Sequence, residues 1–346
     1  MLLGKVNRYQ LQELIMASPH IAEFRRAPET VFFDELDNKE QTEWSEDLQE
    51  RMEVDRDSKV CISILDTGVN NGHILLKPVL MDQDCYSYDE SWGTHDHNSH
   101  GTNMSGLAVF GDLEAALLSR EVVRIRHNLE SAKILPPQGE NDPKLYGAIV
   151  SQSVSNMTVN NPERQRIICM AITSPKYSAD DGSPSSWSSA IDELSSGYLD
   201  EQQKLIIISA GNINESEEWD DYLESNKTRT VQNPGQSWNA VTVGAFTAIT
   251  EIDERKYSGK ALAPAGGLSP YSPTSCLWEK KWPIKPDIVF EGGNVLRDCY
   301  GCVQCTEFSL LTLHHRPSER QFSTIWATSA ATAQAAWMAA QIQVNY

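Results

Sequence analysis

From residue 59 onward, short apolar runs alternate with longer amphipathic stretches. The runs at 60–65 (Val-Cys-Ile-Ser-Ile-Leu), 131–135, 166–172 (Arg-Ile-Ile-Cys-Met-Ala-Ile), 204–209 (Lys-Leu-Ile-Ile-Ile-Ser) and 240–245 predict β-strands. Their near-continuous β-branched character predicts burial on both faces, as in a parallel sheet covered by helices. The stretches near 100–110, 142–153 and 185–199 predict those helices. A last one, from Ser329 to Gln343, is Ala-rich and apolar nearly all round, which predicts a buried helix.

Residues 1–57 differ. They are rich in charge, predict one helix around 43–52, and offer a short strand at Thr30-Val31-Phe32-Phe33. We expect an N-terminal extension or linker there, packed on a main domain that spans 58–346. The chain stops soon after Ser329, so a C-terminal truncation of that domain is expected.

No run of 18 apolar residues occurs, which predicts no transmembrane helix. Met1-Leu2-Leu3-Gly4-Lys5 lacks the basic start, apolar stretch and cleavage site of a signal peptide, so a cytoplasmic location is expected. The net charge of −19, from 48 acidic and 29 basic residues, disfavours nucleic acid and membrane surfaces as partners. Seven cysteines scattered through 346 residues do not read as a secreted disulfide framework. Cys61 and Cys169 sit in strand-like runs and are expected to be buried small hydrophobes.

Three distant motifs carry the candidate chemistry: Asp66-Thr67-Gly68, His100-Gly101-Thr102 and Thr328-Ser329-Ala330. Asp66 ends an apolar run, at the sheet edge where α/β proteins place their sites. There it can hold a histidine in one tautomer, or merely cap a turn. His100 opens a helix of small residues and suits a general base. Ser329 begins the buried helix, where an unpaired N–H and the helix dipole favour developing negative charge. A plain N-cap is its alternative role. Asn212, in Ser209-Ala210-Gly211-Asn212, can donate to an oxyanion or satisfy a turn. His95, Asp96 and His97 raise a metal alternative, without an H-E-x-x-H pattern.

Together these motifs resemble the subtilase family of subtilisin-like serine proteases, whose acid, base and nucleophile come in this chain order. Asp-His-Asn-Ser-His-Gly-Thr at 96–102 is the nearest match. Asn233-Pro234-Gly235 before Ala240-Val241-Thr242-Val243-Gly244-Ala245, and Lys285-Pro286-Asp287-Ile288-Val289, add to it. The resemblance implies a three-layer αβα fold around a mostly parallel sheet. It also implies endopeptidase activity on polypeptides, with Asp66, His100 and Ser329 as triad and Asn212 with Ser329 at the oxyanion. Ala171, Ile172 and Thr173 would lie where a strand edge pairs with substrate. No cofactor is required. The chain looks like a bacterial intracellular branch, which implies an ATPase as a partner. Departures from the pattern are Ala327, Ala333 and Trp337, where the family has Gly, Pro and Gly, and Asn103, where His is common. Ala327 is expected to crowd the nucleophile turn, and no maturation propeptide pattern precedes the domain.

Residues 292–323 read as an insertion. Cys299, Cys302 and Cys305, with His314 and His315 beyond, could hold a structural zinc, form a redox switch, or remain inert thiols. Calcium has no loop signature. Two functional alternatives accompany the protease reading: a silent or partner-regulated subtilase acting as an interaction module, and a metal-binding regulatory domain centred on the cysteines.

Overall fold

The structure, a computed structural model, describes residue 33 and residues 35–346 apart from residues 199 and 215. Helix α1 (Asn38–Glu50) and strand β1 (Met52–Val54) lead into β2 (Val60–Asp66) and β3 (Cys85–Ser87). Helices α2 (His100–Phe110) and α3 (Leu113–Leu118) precede β4 (Val123–Ile125) and β5 (Asn128–Lys133). Then α4 (Tyr146–Asn160), β6 (Gln165–Met170), α5 (Ser186–Ser196), β7 (Leu205–Ser209), α6 (Tyr222–Thr228) and β8 (Val241–Thr247) alternate. Seven short strands follow: β9 (Lys260–Ala261), β10 (Gly267–Leu268), β11 (Ile288–Glu291), β12 (Val295–Asp298), β13 (Gly301–Gln304), β14 (Leu310–Leu313) and β15 (Phe322–Ile325). The chain finishes with α7 (Ala327–Gln343).

The central sheet runs in the order β10-β8-β7-β6-β2-β5-β3, with β11 also on β8. Every pairing is parallel except β10 with β8. All seven residues of β2 are buried because its alternate side chains enter two separate cores. Ile62 and Ile64, with Ile167, Ile207 and Val243, face α2 and α7. Leu65, with Ile168, Met170, Ile206 and Ile208, faces α4 and α5. Helices on both faces of the sheet give the expected three layers.

The pattern differs from expectation at several ends. Helix α1 begins at Asn38 rather than 43, because Asp37 and Glu40 form a capping box. Helix α4 begins later than 142 because Asn141 and Asp142 precede a short 3₁₀ turn at Pro143–Leu145. Strand β6 stops at Met170, where its pairing with β7 ends, so Ala171, Ile172 and Thr173 lie past the sheet. Of the strand expected at 30–33, residues 30–32 lie outside the described residues, and Phe33 sits in a turn.

Phe33 and α1 pack on the hairpin of β14 and β15, and β1 pairs with β4. Phe33 meets Trp44 and Phe322 edge to face. Buried Gln41 accepts from the Gln321 N–H at 2.9 Å and the Phe322 N–H at 3.1 Å. The Gln321 carbonyl in turn lies 2.9 Å from Nε2 of His73, which is wholly buried. Since a carbonyl only accepts, Nε2 carries the proton, and Nδ1 accepts from the Leu75 N–H at 3.2 Å.

Burial, only partly opposed by the Gln321 hydrogen bond, lowers the His73 pKa from 6.5 to about 4. The unfolded chain gains a proton there below pH 6.5 while the folded chain stays neutral until about pH 4. Stability therefore falls as pH drops through that window, by roughly 3 kcal/mol from this group. Urea unfolding of wild type and His73→Asn between pH 7 and 4 checks it: the wild type should lose this increment relative to the variant. Parallel pH dependences would exclude it.

Candidate active site

The carboxyl edge of the sheet gathers the candidate residues. Asp66 is the last residue of β2 and only 1% exposed. His100 is the first residue of α2 and half-buried. Its Nδ1 lies 2.8 Å from Oδ2 and 2.9 Å from Oδ1 of Asp66. Its Nε2 lies 3.1 Å from Ser329 Oγ. A carboxylate only accepts, so the proton belongs on Nδ1 and Nε2 offers a lone pair to the serine hydroxyl.

Asp96 builds the platform beneath this histidine. Its Oδ1 accepts from the Thr67 hydroxyl and the Asn98 and Ser99 N–H groups, each at 2.9 Å. Its Oδ2 accepts from the Thr102 N–H at 2.8 Å and the Thr102 hydroxyl at 2.7 Å. The Thr67 hydroxyl also accepts from the Gly101 N–H at 3.0 Å, which ties the Asp66 turn to the start of α2. A Cβ at Gly101 would overlap the Gly68 carbonyl, so only glycine lets the two turns approach this closely. Lys133, opposite Asp66 in the β2–β5 register, donates to the His95 carbonyl at 2.6 Å and sits 2.9 Å from His97 Nδ1. Burial lowers the pKa of that ammonium, and the charge of Asp96 opposes the shift.

The Ser329 side is tied to Asn212. Helix α7 begins at Ala327, two residues before Ser329, after the extended Trp326. The Thr328 N–H donates to Asn212 Oδ1 at 3.0 Å, and the single proton of the Thr328 hydroxyl is shared between that oxygen, at 2.6 Å, and the Gly211 carbonyl, at 2.8 Å. An N–H can only donate, so the amide oxygen faces Thr328 and Nδ2 is left over. Neither that Nδ2 nor the Ser329 N–H donates to another group among the described residues. They are two spare donors beside the hydroxyl, one of them in the first turn of a long helix.

Burial alone would lower the His100 pKa. The Asp66 charge and hydrogen bond, with Asp96 farther off, outweigh it and hold the pKa above the usual 6.5. Ala171 is buried, and Ile172 and Thr173 are half-buried. The latter two line a cavity of about 480 Å³ whose walls include Ile134, Tyr146, Ile149 and Trp187.

Among the described residues, no group of three or more His, Cys, Asp and Glu side chains is placed to hold a metal ion. The structure therefore gathers neither the cysteine set nor His95, Asp96 and His97 around one. Asp96 is occupied by its five donors. Cys299 is exposed in the turn between β12 and β13, Cys302 and Cys305 are buried, and all seven cysteines are free. Thr67, Lys133 and Thr328 were not assigned roles from the sequence, because their contacts cross between distant segments. Asp96 had a readable signal: an Asp a few residues before a predicted helix start, in Asp96-His97-Asn98-Ser99-His100, is a typical turn and helix-start acceptor.

A carboxylate, an imidazole and a serine hydroxyl in one hydrogen-bonded line, at the carboxyl edge of a parallel sheet, define a protein of the serine-hydrolase type. Residues 57–346 match the subtilase family, peptidase S8, and the chain belongs to that family of serine peptidases. Similar solved structures include Sphericase, at 21% identity and a TM-score of 0.54, over 83% of this chain and 78% of that one. The S41 psychrophilic protease matches at 19% and 0.52, over 83% and 78%. A cold-adapted subtilisin-like serine proteinase matches at 17% and 0.50, over 83% and 76%. They establish the subtilisin-like fold. No curated protein matches the chain.

Ala327 is held at φ +64°, in the left-handed region that glycine tolerates. The expected crowding of the nucleophile turn is therefore backbone strain, worth about 1 kcal/mol. Ala327→Gly should raise stability toward urea by about that amount. An unchanged or lower midpoint would show that the turn holds no such strain.

Proposed function

We propose that the chain is a serine endopeptidase with Asp66, His100 and Ser329 as its catalytic triad. The observation that carries this is the unbroken line from the Asp66 carboxylate through both ring nitrogens of His100 to Ser329 Oγ. His100 takes the hydroxyl proton as Oγ attacks the peptide carbonyl. The oxyanion that forms accepts from Asn212 Nδ2 and the Ser329 N–H, the two spare donors. Asp66 stabilises the imidazolium, which returns its proton to the leaving amine. Water, activated by the same imidazole, then releases the acyl group from Ser329.

Ala171, Ile172 and Thr173 lie past the last sheet pairing, where the backbone of an extended substrate can add beside them. The apolar cavity next to Ile172 and Thr173 suits a large hydrophobic substrate side chain on the acyl side. A partner ATPase plays no part in this reading.

A fluorophosphonate probe should label the wild type at Ser329, and Ser329→Ala and His100→Ala should abolish labelling. Because only neutral His100 acts as base, the labelling rate should rise with pH through an apparent pKa above 6.5. Asp66→Asn removes the charge and hydrogen bond that contribute most to raising this pKa, so its acid limb should move down while the rate drops by about 10⁴. Absence of labelling in folded wild type would overturn the proposal in favour of a silent interaction module. Asn212→Ala should cut peptide hydrolysis by about 10² to 10³, as loss of an oxyanion donor does in subtilisin. A change of only a few-fold would remove Asn212 from the oxyanion site.

A further inference from the structure

Gln232 occupies a position that the catalytic scheme does not use. Its Nε2 donates to the Asn212 carbonyl at 2.9 Å, and its Oε1 accepts from the Thr173 hydroxyl at 2.9 Å. The side chain thus reaches from the segment after β6 to the segment after β7. These two strands are neighbours whose pairing ends at Met170 and Ile208, and beyond it the segments are joined by this carboxamide.

Its seat is Gly211. The glycine stands at φ +92°, and a Cβ there would overlap Cγ, Cδ and Oε1 of Gln232. The glutamine lies flat against bare backbone, one residue before the proposed oxyanion donor. Its own backbone is pinned as well, since the Gln232 N–H donates to the Ala210 carbonyl at 2.8 Å and its carbonyl accepts from the Gly235 N–H at 2.7 Å.

The consequence follows from where the scissile carbonyl must sit. With its oxygen between Asn212 Nδ2 and the Ser329 N–H, and its backbone along 171–173, the residue bearing that carbonyl projects its side chain toward the gap between the two segments. That gap is filled by Gln232. The walls of the large cavity include Thr173 but not Gly211, Asn212 or Gln232. A large side chain beside the scissile bond would have to expel the carboxamide, breaking both of its hydrogen bonds and freeing the backbone of Asn212.

We infer that Gln232 closes the subsite next to the scissile bond, so that the enzyme accepts glycine, alanine or serine there and rejects aromatic residues. This rests on the proposed peptidase reading and names the substrate class of that same site. Discrimination among substrates then falls to the apolar cavity, farther along the acyl side.

The test uses two peptidyl diphenyl phosphonates that differ only in the residue bonded to phosphorus, an alanine or a phenylalanine analogue, against the full chain. Wild type should label at Ser329 at least about tenfold faster with the alanine probe. Gln232→Gly should speed labelling by the phenylalanine probe about tenfold or more, with the alanine probe little changed. Gln232→Met, which keeps the volume without the hydrogen bonds, should retain the exclusion, and thermal unfolding confirms that each variant is folded. Equal rates for both probes in wild type, or an equal loss with both in Gln232→Gly, would overturn the inference. A small alkyl fluorophosphonate separates the two levels: if it too fails to label folded wild type, the peptidase reading itself is overturned.

Discussion

A carboxylate removed from water needs hydrogen-bond donors to replace its lost hydration. Asp66 meets that condition at the end of β2 with the Thr67 N–H at 2.8 Å and the His100 imidazole across both oxygens. Asp96, 3% exposed, meets it with five donors of its own. Thr67 joins the two acids, because its hydroxyl donates to Asp96 and accepts from Gly101. The aim of the imidazole at Ser329 is thus settled by the need to satisfy the oxygens of two buried side chains. A ring without that constraint would swing, and a contact of 3.1 Å would be lost.

Ser329, the proposed nucleophile, is held by a different device. Most of the first half of α7 is buried, and its alanines let it lie against α2 and the sheet. The position of Ser329 is therefore set by helix packing rather than by a loop. The turn before it keeps a left-handed alanine, and compensating bonds hold it there: Ala327 N–H to the Gly292 carbonyl at 2.7 Å, and Thr328 to Asn212. The same Thr328 contacts orient the Asn212 amide. One threonine thus couples the turn before Ser329 to the loop that carries Asn212, the proposed oxyanion donor.

The sheet was legible in the sequence because β2, β6, β7 and β8 are buried on both faces, so each reads as an apolar run. Short strands such as β10 and β12, of two and four residues, have no comparable signal. Asp66, His100, Ser329 and Asn212 were legible as motifs, and the geometry brings all four together. The start of α1 was missed although Asp37 and Glu40 spell a capping box. Gln232 was invisible for a physical reason: a glutamine acts through the reach of its amide, and both its partners lie at least 20 residues away along the chain.

The helix that carries His100 also shows why local reading runs out. Helix α2 has no side-chain cap at Ser99, which is left-handed at φ +80°, so its first turn cannot hold itself. Its support comes from elsewhere: Asp96 on the N–H groups, and the β14–β15 hairpin along its side. The Thr312 hydroxyl donates to the Asn103 carbonyl at 2.5 Å, and Asn70 reaches the His315 carbonyl at 2.6 Å. With its amide oriented to suit its neighbours, Asn103 donates to Ser99 and Leu313 carbonyls, each at 3.0 Å. That hairpin is itself held by Gln41 of the N-terminal segment and by His73. Asn103 thereby joins the helix that begins at His100 to the β14–β15 hairpin. The hairpin in turn links the site to a helix that precedes the whole sheet. The order of the active site is consequently a property of tertiary contacts spanning more than 250 residues, from Gln41 to Gln321.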